Sequence, residues 1–239
     1  MTNARVIDAA ETESPTARPS VIPVVAATSL RVPGRGRNAA GAPVRFSFDG
    51  RSLTGRAGDT LAAALLANGI HLVGRSFKYH RPRGILSAGC EEPNALVGTD
   101  RGKGRYEPNT RATTAEIFEG FCSTSQNCWP SLRTDVGAIN DRLAPLFSAG
   151  FYYKTFMWPK SFWNKVYEPI IRGAAGLGKP PTEPDPDTYA ARYAHCDLLV
   201  VGAGAAGLAA ALAGARSGAK VILVDEQAEA GGWLLSEPD

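Results

Sequence analysis

The chain has 239 residues, 44% of them apolar, which is enough to bury one large core or two modest ones. Its 26 Lys and Arg against 23 Asp and Glu leave a net charge of +3, so polyanion binding is excluded as the main task and no nucleic-acid partner is expected. Gly and Pro, at 26 and 17, forecast many turns, while four scattered cysteines (Cys90, Cys122, Cys128 and Cys196) exclude a disulfide-stapled fold and point to a reducing, cytoplasmic setting.

Residues 1–43 contain no aromatic side chain and are rich in Ala, Pro, Thr, Ser and Arg, a composition that predicts a disordered leader. The mildly apolar stretch 21–30 contains Pro23 and lies far from Arg5, so it does not read as a signal peptide. From Val44 the pattern alternates with period two through Arg45, Phe46, Ser47 and Phe48. Asp49-Gly50 then marks a tight hairpin, and a return strand begins at Ser52. Asp59 or Thr60 can cap a helix over residues 61–67, closed by Asn68-Gly69. This opening is α+β.

Between residues 75 and 104 the only strand core is 94–97. A further strand is predicted over 112–121, and a helix over 135–147 interrupted by Pro145. The basic stretch Arg75, Lys78, His80, Arg81 and Arg83 has no accompanying aromatic platform, so it reads as structural or as a subunit contact. Residues 150–167 carry eight aromatic side chains, a density that implies packing against another domain or subunit. Residues 179–186 form a Pro-rich, extended linker.

After the linker, the apolar run 198–201 suits a buried parallel strand. It feeds Gly202-x-Gly204-x-x-Gly207, which opens an alanine-rich helix to about Ser217, and a second strand over 220–224 ends in Asp225-Glu226. Residues 198–215 lack any polar side chain, yet eight are Ala and four are Gly. The glycine spacing serves a turn rather than a bilayer span, and no membrane association is expected. In a dinucleotide site the first glycine permits the turn, the second admits the diphosphate, the third allows helix and strand to pack, and the helix N-terminus faces the anion. Asp225, eighteen residues beyond Gly207, is placed to accept the ribose hydroxyls, which favours NAD, with FAD as the alternative, over a 2′-phosphorylated cofactor. Gly231-Gly232-Trp233 would let a loop lie close to the nucleotide.

The strings GRSFKYHRPRG at 74–84, EEPNALV at 91–97, GFYYKTFMWP at 150–159 and YAHCD at 193–197 together resemble the alpha subunits of heterotetrameric sarcosine oxidases, over residues 43 to 239. The resemblance implies oxidative demethylation of sarcosine to glycine with hydrogen peroxide and a one-carbon unit that tetrahydrofolate accepts. It implies FAD, FMN and NAD as cofactors, and beta, gamma and delta subunits as partners. Carried over by position, NAD contacts fall on Ala206, Asp225, Glu226, Gln227 and Trp233. Gln227 stands where Arg is common, and Trp233 where a small residue is usual.

The full expected site is therefore Gly202, Gly204, Ala206, Gly207, Asp225, Glu226, Gln227, Gly232 and Trp233. The amino-terminal domain also resembles the ferredoxin-like β-grasp domain that holds a two-iron cluster in amine dehydrogenase relatives. With Cys90 as second ligand, plant-type spacing would demand cysteines at Ile85 and Pro93, so no iron–sulfur cluster and no other metal is expected. His71, His80 and His195 stand apart from any nucleophile pattern, and no catalytic residue is named.

The expected architecture is α/β plus α+β. It comprises a leader (1–43), a β-grasp domain without cluster ligands (44–125), an aromatic connecting segment with its linker (126–189), and the first βαβ unit of a Rossmann-like domain (190–239). With one βαβ unit made fourteen residues before Asp239, the chain reads as part of an alpha subunit, inactive alone. The alternatives are a noncatalytic scaffold that docks a partner and an FAD-binding amine dehydrogenase-type subunit.

Overall fold

In the computed structural model, residues 29–146, 150, 158–174, 176–227 and 229–236 are described. Strands β1 (Pro43–Phe48) and β2 (Arg51–Arg56) form an antiparallel hairpin. Asp49 and Gly50 both take positive φ, 49° and 74°, the turn that this dipeptide forecasts and that matches the strands' twist. Alternation then buries Phe46 and Phe48 on one face, opposite Leu53 of β2.

Helix α1 (Leu61–Ala67) lays Leu61, Ala64 and Leu65 on that face, each fully buried. Thr60 caps it by accepting from the Ala63 N–H at 3.3 Å, and Asn68 closes it. Its first two amides are satisfied from outside: Leu61 N–H donates to the Ala115 carbonyl at 2.7 Å and Ala62 N–H to that of Ala112 at 2.8 Å. This corrects the strand expected over 112–121. Residues 112–120 are a loop whose apolar Ala112, Ala115 and Ile117 enter the core while the Ala112 and Ala115 carbonyls serve the helix, and a strand starts only at Phe121.

Short strands β3 (Gly74–Arg75) and β4 (Pro82–Arg83) pair with each other. Strands β5 (Leu96–Asp100), β6 (Tyr106–Arg111) and β7 (Phe121–Ser125) complete a five-stranded mixed sheet in the order β2-β1-β7-β5-β6, with β1 and β7 parallel. Phe121, Val97 and Val73 fill the centre of its core.

Residues 1–28 of the expected leader lie outside the described residues. From residue 29 the chain is held on the domain: Leu30 N–H donates to the Ala67 carbonyl at 2.8 Å, and Arg31 pairs with buried Asp59. The helix expected over 135–147 is broken into a 3-10 turn (Val136–Ala138), helix α2 (Ile139–Arg142) and a second 3-10 turn (Ala144–Leu146). The basic stretch pins this segment down. Arg75 donates to the Leu132 carbonyl at 2.9 Å, His80 meets Asp135 at 2.7 Å, and Arg81 meets Asp141 at 2.6 Å.

Of the eight aromatics, Phe151, Tyr152, Tyr153 and Phe156 lie outside the described residues. Trp158, Phe162 and Trp163 are exposed, leading into helix α3 (Glu168–Ala174). The Pro-rich linker runs beside the β5–β6 turn, where Arg105 grips Asp187 with Nη2 to Oδ1 at 2.6 Å. Beyond it, β8 (Leu198–Val201), α4 (Ala205–Arg216) and β9 (Val221–Val224) form one βαβ unit with parallel strands. No described helix is long and apolar enough to cross a membrane.

Candidate nucleotide-binding site

The turn between β8 and α4 is built from glycines doing three different jobs. Gly202 has φ +101°, a conformation that L side chains rarely adopt, and its N–H donates to the Val224 carbonyl at 2.8 Å, tying the turn to the tip of β9. Gly204 is the N-cap of α4, and the space where its Cβ would stand is open. A Cβ on Gly207 would meet the Gly202 carbonyl oxygen at 1.7 Å, so the close approach of helix to strand depends on its absence.

The first intrahelical bond of α4 runs from Leu208 N–H to the Gly204 carbonyl at 2.9 Å. The amides of Ala205, Ala206 and Gly207 therefore precede the helical ladder and stand at the positive end of a twelve-residue helix. Ala206 is exposed there.

Asp225 lies at the end of β9, as expected, but its carboxylate already has duties within the protein. Oδ2 accepts from the Ala203 N–H at 2.5 Å and Oδ1 from the Gln227 N–H at 2.7 Å. These two amides hold its carboxyl below the usual carboxylate range. Its first role is thus to clamp the glycine turn, and a sugar would use the lone pairs that remain. Gln227 contributes its backbone, while Glu226 is exposed beside it.

Gly231 closes the other wall. Its N–H donates to the Ala203 carbonyl at 2.8 Å, and it bridges Gly204 in parallel register. A Cβ on Gly232 would stand 3.1 Å from the Gly204 Cα. Trp233 is 54% exposed. Ala203, 3% exposed and bonded through both its N–H and its carbonyl, is the member that sequence reasoning missed; an alanine inside a glycine turn carries no side-chain signal.

The cysteines are free. Cys90 and Cys122 are exposed, Cys128 and Cys196 half-buried, and burial pushes the Cys128 thiol up from its ordinary value against a hydrogen bond with Ser125. A two-iron cluster takes four thiolates. No group of three or more Cys, His, Asp or Glu side chains stands close enough among the described residues to hold a metal ion. These donors do not fit such a cluster.

A five-stranded mixed sheet with its packed helix thus precedes a glycine-turn βαβ unit, and each part matches a known family. Residues 41–128 match a family described as a 2Fe-2S iron-sulfur cluster binding domain, and residues 197–238 a family of FAD dependent oxidoreductases. Among curated proteins, the chain is 63% identical over 210 residues to the sarcosine oxidase subunit alpha of Rhizobium meliloti (strain 1021), covering 88% of this chain and 21% of that one. It is 36% identical to the subunit alpha of Corynebacterium sp. (strain P-1), covering 87% of this chain and 17% of that one, and 37% identical to that of strain U-96, covering 79% and 15%.

The chain is homologous to sarcosine oxidase alpha subunits, and it spans 15–21% of the length of the relatives it matches. A crystal structure of L-proline dehydrogenase from P. horikoshii aligns over 80% of this chain and 26% of its own at 17% identity and a TM-score of 0.40, too distant to bear on the fold.

These matches overturn the cofactor expectation on both counts. The βαβ unit falls in an FAD family where NAD was expected and FAD was the alternative, and the amino-terminal domain falls in a cluster-binding family where no iron–sulfur cluster was expected. The physical reason for the first error is that FAD and NAD share an adenosine diphosphate half, so a glycine turn and a terminal acid do not tell them apart. The second error came from judging cluster association by plant-type ligand spacing around Cys90, although the same residues carry the likeness to the ferredoxin-like domain.

Proposed function

We propose that this chain forms the FAD-holding part of an alpha subunit in a sarcosine-oxidising enzyme. In that enzyme, oxidative demethylation releases glycine and hydrogen peroxide and passes a one-carbon unit to tetrahydrofolate. The observation that carries the reading is the open space at Gly204 beside the leading amides of α4. The amides of Ala205, Ala206 and Gly207 would receive the diphosphate, Asp225 would hold both the turn and the ribose, and Glu226, Gln227, Gly232 and Trp233 would border the adenosine. FAD, when bound, would supply a flavin ring able to accept a hydride, the electron pair of a carbon–hydrogen bond beside the amine nitrogen.

The β8–β9 pair supports a place in a larger assembly. Val201 is 78% exposed and Leu199 57%, whereas parallel sheets are ordinarily covered on both faces. Beta, gamma and delta subunits are the proposed partners, together with further nucleotide-fold chain.

Titration of the 239-residue chain with FAD, followed by flavin fluorescence, tests the reading. Saturable quenching that ADP displaces and that Gly204→Val abolishes supports it. Absence of saturable quenching in the wild type overturns it.

A further inference from the structure

The loop joining β4 to β5 closes around a single carboxylate. Glu92 is 1% exposed. Its Oε2 accepts from the backbone N–H of Leu86 at 2.7 Å and of Ser87 at 2.6 Å, with the Ser87 hydroxyl at 3.3 Å. Its Oε1 accepts from the N–H of Asn94 at 2.8 Å and of Ala95 at 3.1 Å. None of those four amides lies in a helix or strand, so no ladder satisfies them.

The surroundings add no countercharge. None of the ion pairs among the described residues includes Glu92. Neighbouring Glu91 turns instead to the Gly89 N–H at 3.1 Å, and Thr113 donates its hydroxyl to the Gly89 carbonyl at 2.6 Å, fastening the loop to the end of β6. A buried anion is therefore balanced by converging amide dipoles and one hydroxyl, the arrangement by which backbone nests take up anions.

We propose that residues 84–95 form a backbone receptor for a small carboxylate, which the chain fills with its own Glu92, and that this filling sets the course of the loop into β5. Burial by itself would raise the Glu92 carboxyl, yet the four backbone bonds hold it below its ordinary value, as a receptor for the ionised form requires. The same loop, through Pro93 and Asn94, walls a cavity of about 190 Å³ that Arg83 and Asn127 also border. Glu92 is thus a positioning residue for that wall. The proposal uses no residue of the nucleotide turn and stands or falls apart from it.

Hydrogen exchange on the full chain tests it first. In the wild type, the amides of Leu86, Ser87, Asn94 and Ala95 exchange more slowly than free peptide by on the order of tenfold or more, despite lying outside regular structure. Glu92→Gln keeps the size but turns an NH2 group toward one pair of donors. The expected result is faster exchange at that pair and a melting temperature lower by on the order of 10 °C.

Glu92→Gly empties the receptor, and sodium formate raises its melting temperature more than sodium chloride at equal ionic strength. Three results would overturn the proposal: fast exchange of the four amides in the wild type, a Glu92→Gln variant that matches wild type in exchange and melting, or a Glu92→Gly variant that gains no more from formate than from chloride. If Glu92→Gly does not fold, the wild type and Glu92→Gln still decide.

Discussion

A Cβ placed on Gly207 would lie 1.7 Å from the carbonyl oxygen of Gly202, so α4 meets the end of β8 at a distance that only a hydrogen allows. Gly204, two residues past Gly202, has open space instead. The two glycines therefore separate folding from binding. Gly207→Ala is expected to destabilise the βαβ unit by about 1–3 kcal/mol, seen as lost protection of α4 amides in hydrogen exchange. Gly204→Ala leaves that protection in place and weakens FAD binding.

Asp225 gives a pH prediction. Its folded-state pKa is depressed by the Ala203 and Gln227 amides, so the clamp is fully present above the ordinary value of 3.8 and is lost as pH falls through the lower folded value. The amide resonance of Ala203 should hold its position from neutral pH down to that region and move only below it. A shift near neutral pH would show that the carboxylate is not the partner. Asp225→Ala should free the same amide at all pH values.

Asp135 holds the segment after β7. Its buried carboxylate accepts from Trp129 N–H at 3.0 Å and Gly137 N–H at 3.1 Å and meets His80 at 2.7 Å. Asp135→Ala leaves these donors without an acceptor, at a cost of about 2–4 kcal/mol. Thermal or denaturant unfolding measures it. A variant as stable as wild type would mean that the segment is held elsewhere.

The thiols should differ in rate. Cys90 and Cys122 are exposed, whereas burial raises the Cys128 pKa, so Cys128 carries less thiolate at a given pH and is shielded as well. Alkylation with iodoacetamide at mildly alkaline pH, mapped by mass spectrometry, should label Cys90 and Cys122 before Cys128.

The parts of the fold legible in the sequence are those set by contacts a few residues apart. Asp49-Gly50 turns the β1–β2 hairpin, Asn68-Gly69 ends α1, and the glycines after Val201 start α4. Residues 112–120 misled because Ala112, Ala115 and Ile117 are apolar for the sake of a core that α1 shares, and nothing local says that their carbonyls cap a helix fifty residues earlier. The clamp of Asp225 on Ala203 was hidden in the same way, since an acid at a strand tip is read as a ligand before it is read as a brace. Choosing NAD asked the diphosphate half of the site to report on the half that distinguishes cofactors. Glu92 has no structural role legible beyond its place in the EEPNALV string, because a glutamate beside a proline has no pattern of its own.

The most direct measurement is an amide-resolved NMR titration of the 239-residue chain with ADP, the half of FAD that the glycine turn would hold. The account predicts saturable shifts at Ala205, Ala206 and Gly207 that vanish in Gly204→Val while the β1–β2 hairpin signals stay unchanged. Saturating ADP that leaves those three amides unmoved, or moves them equally in Gly204→Val, would contradict it.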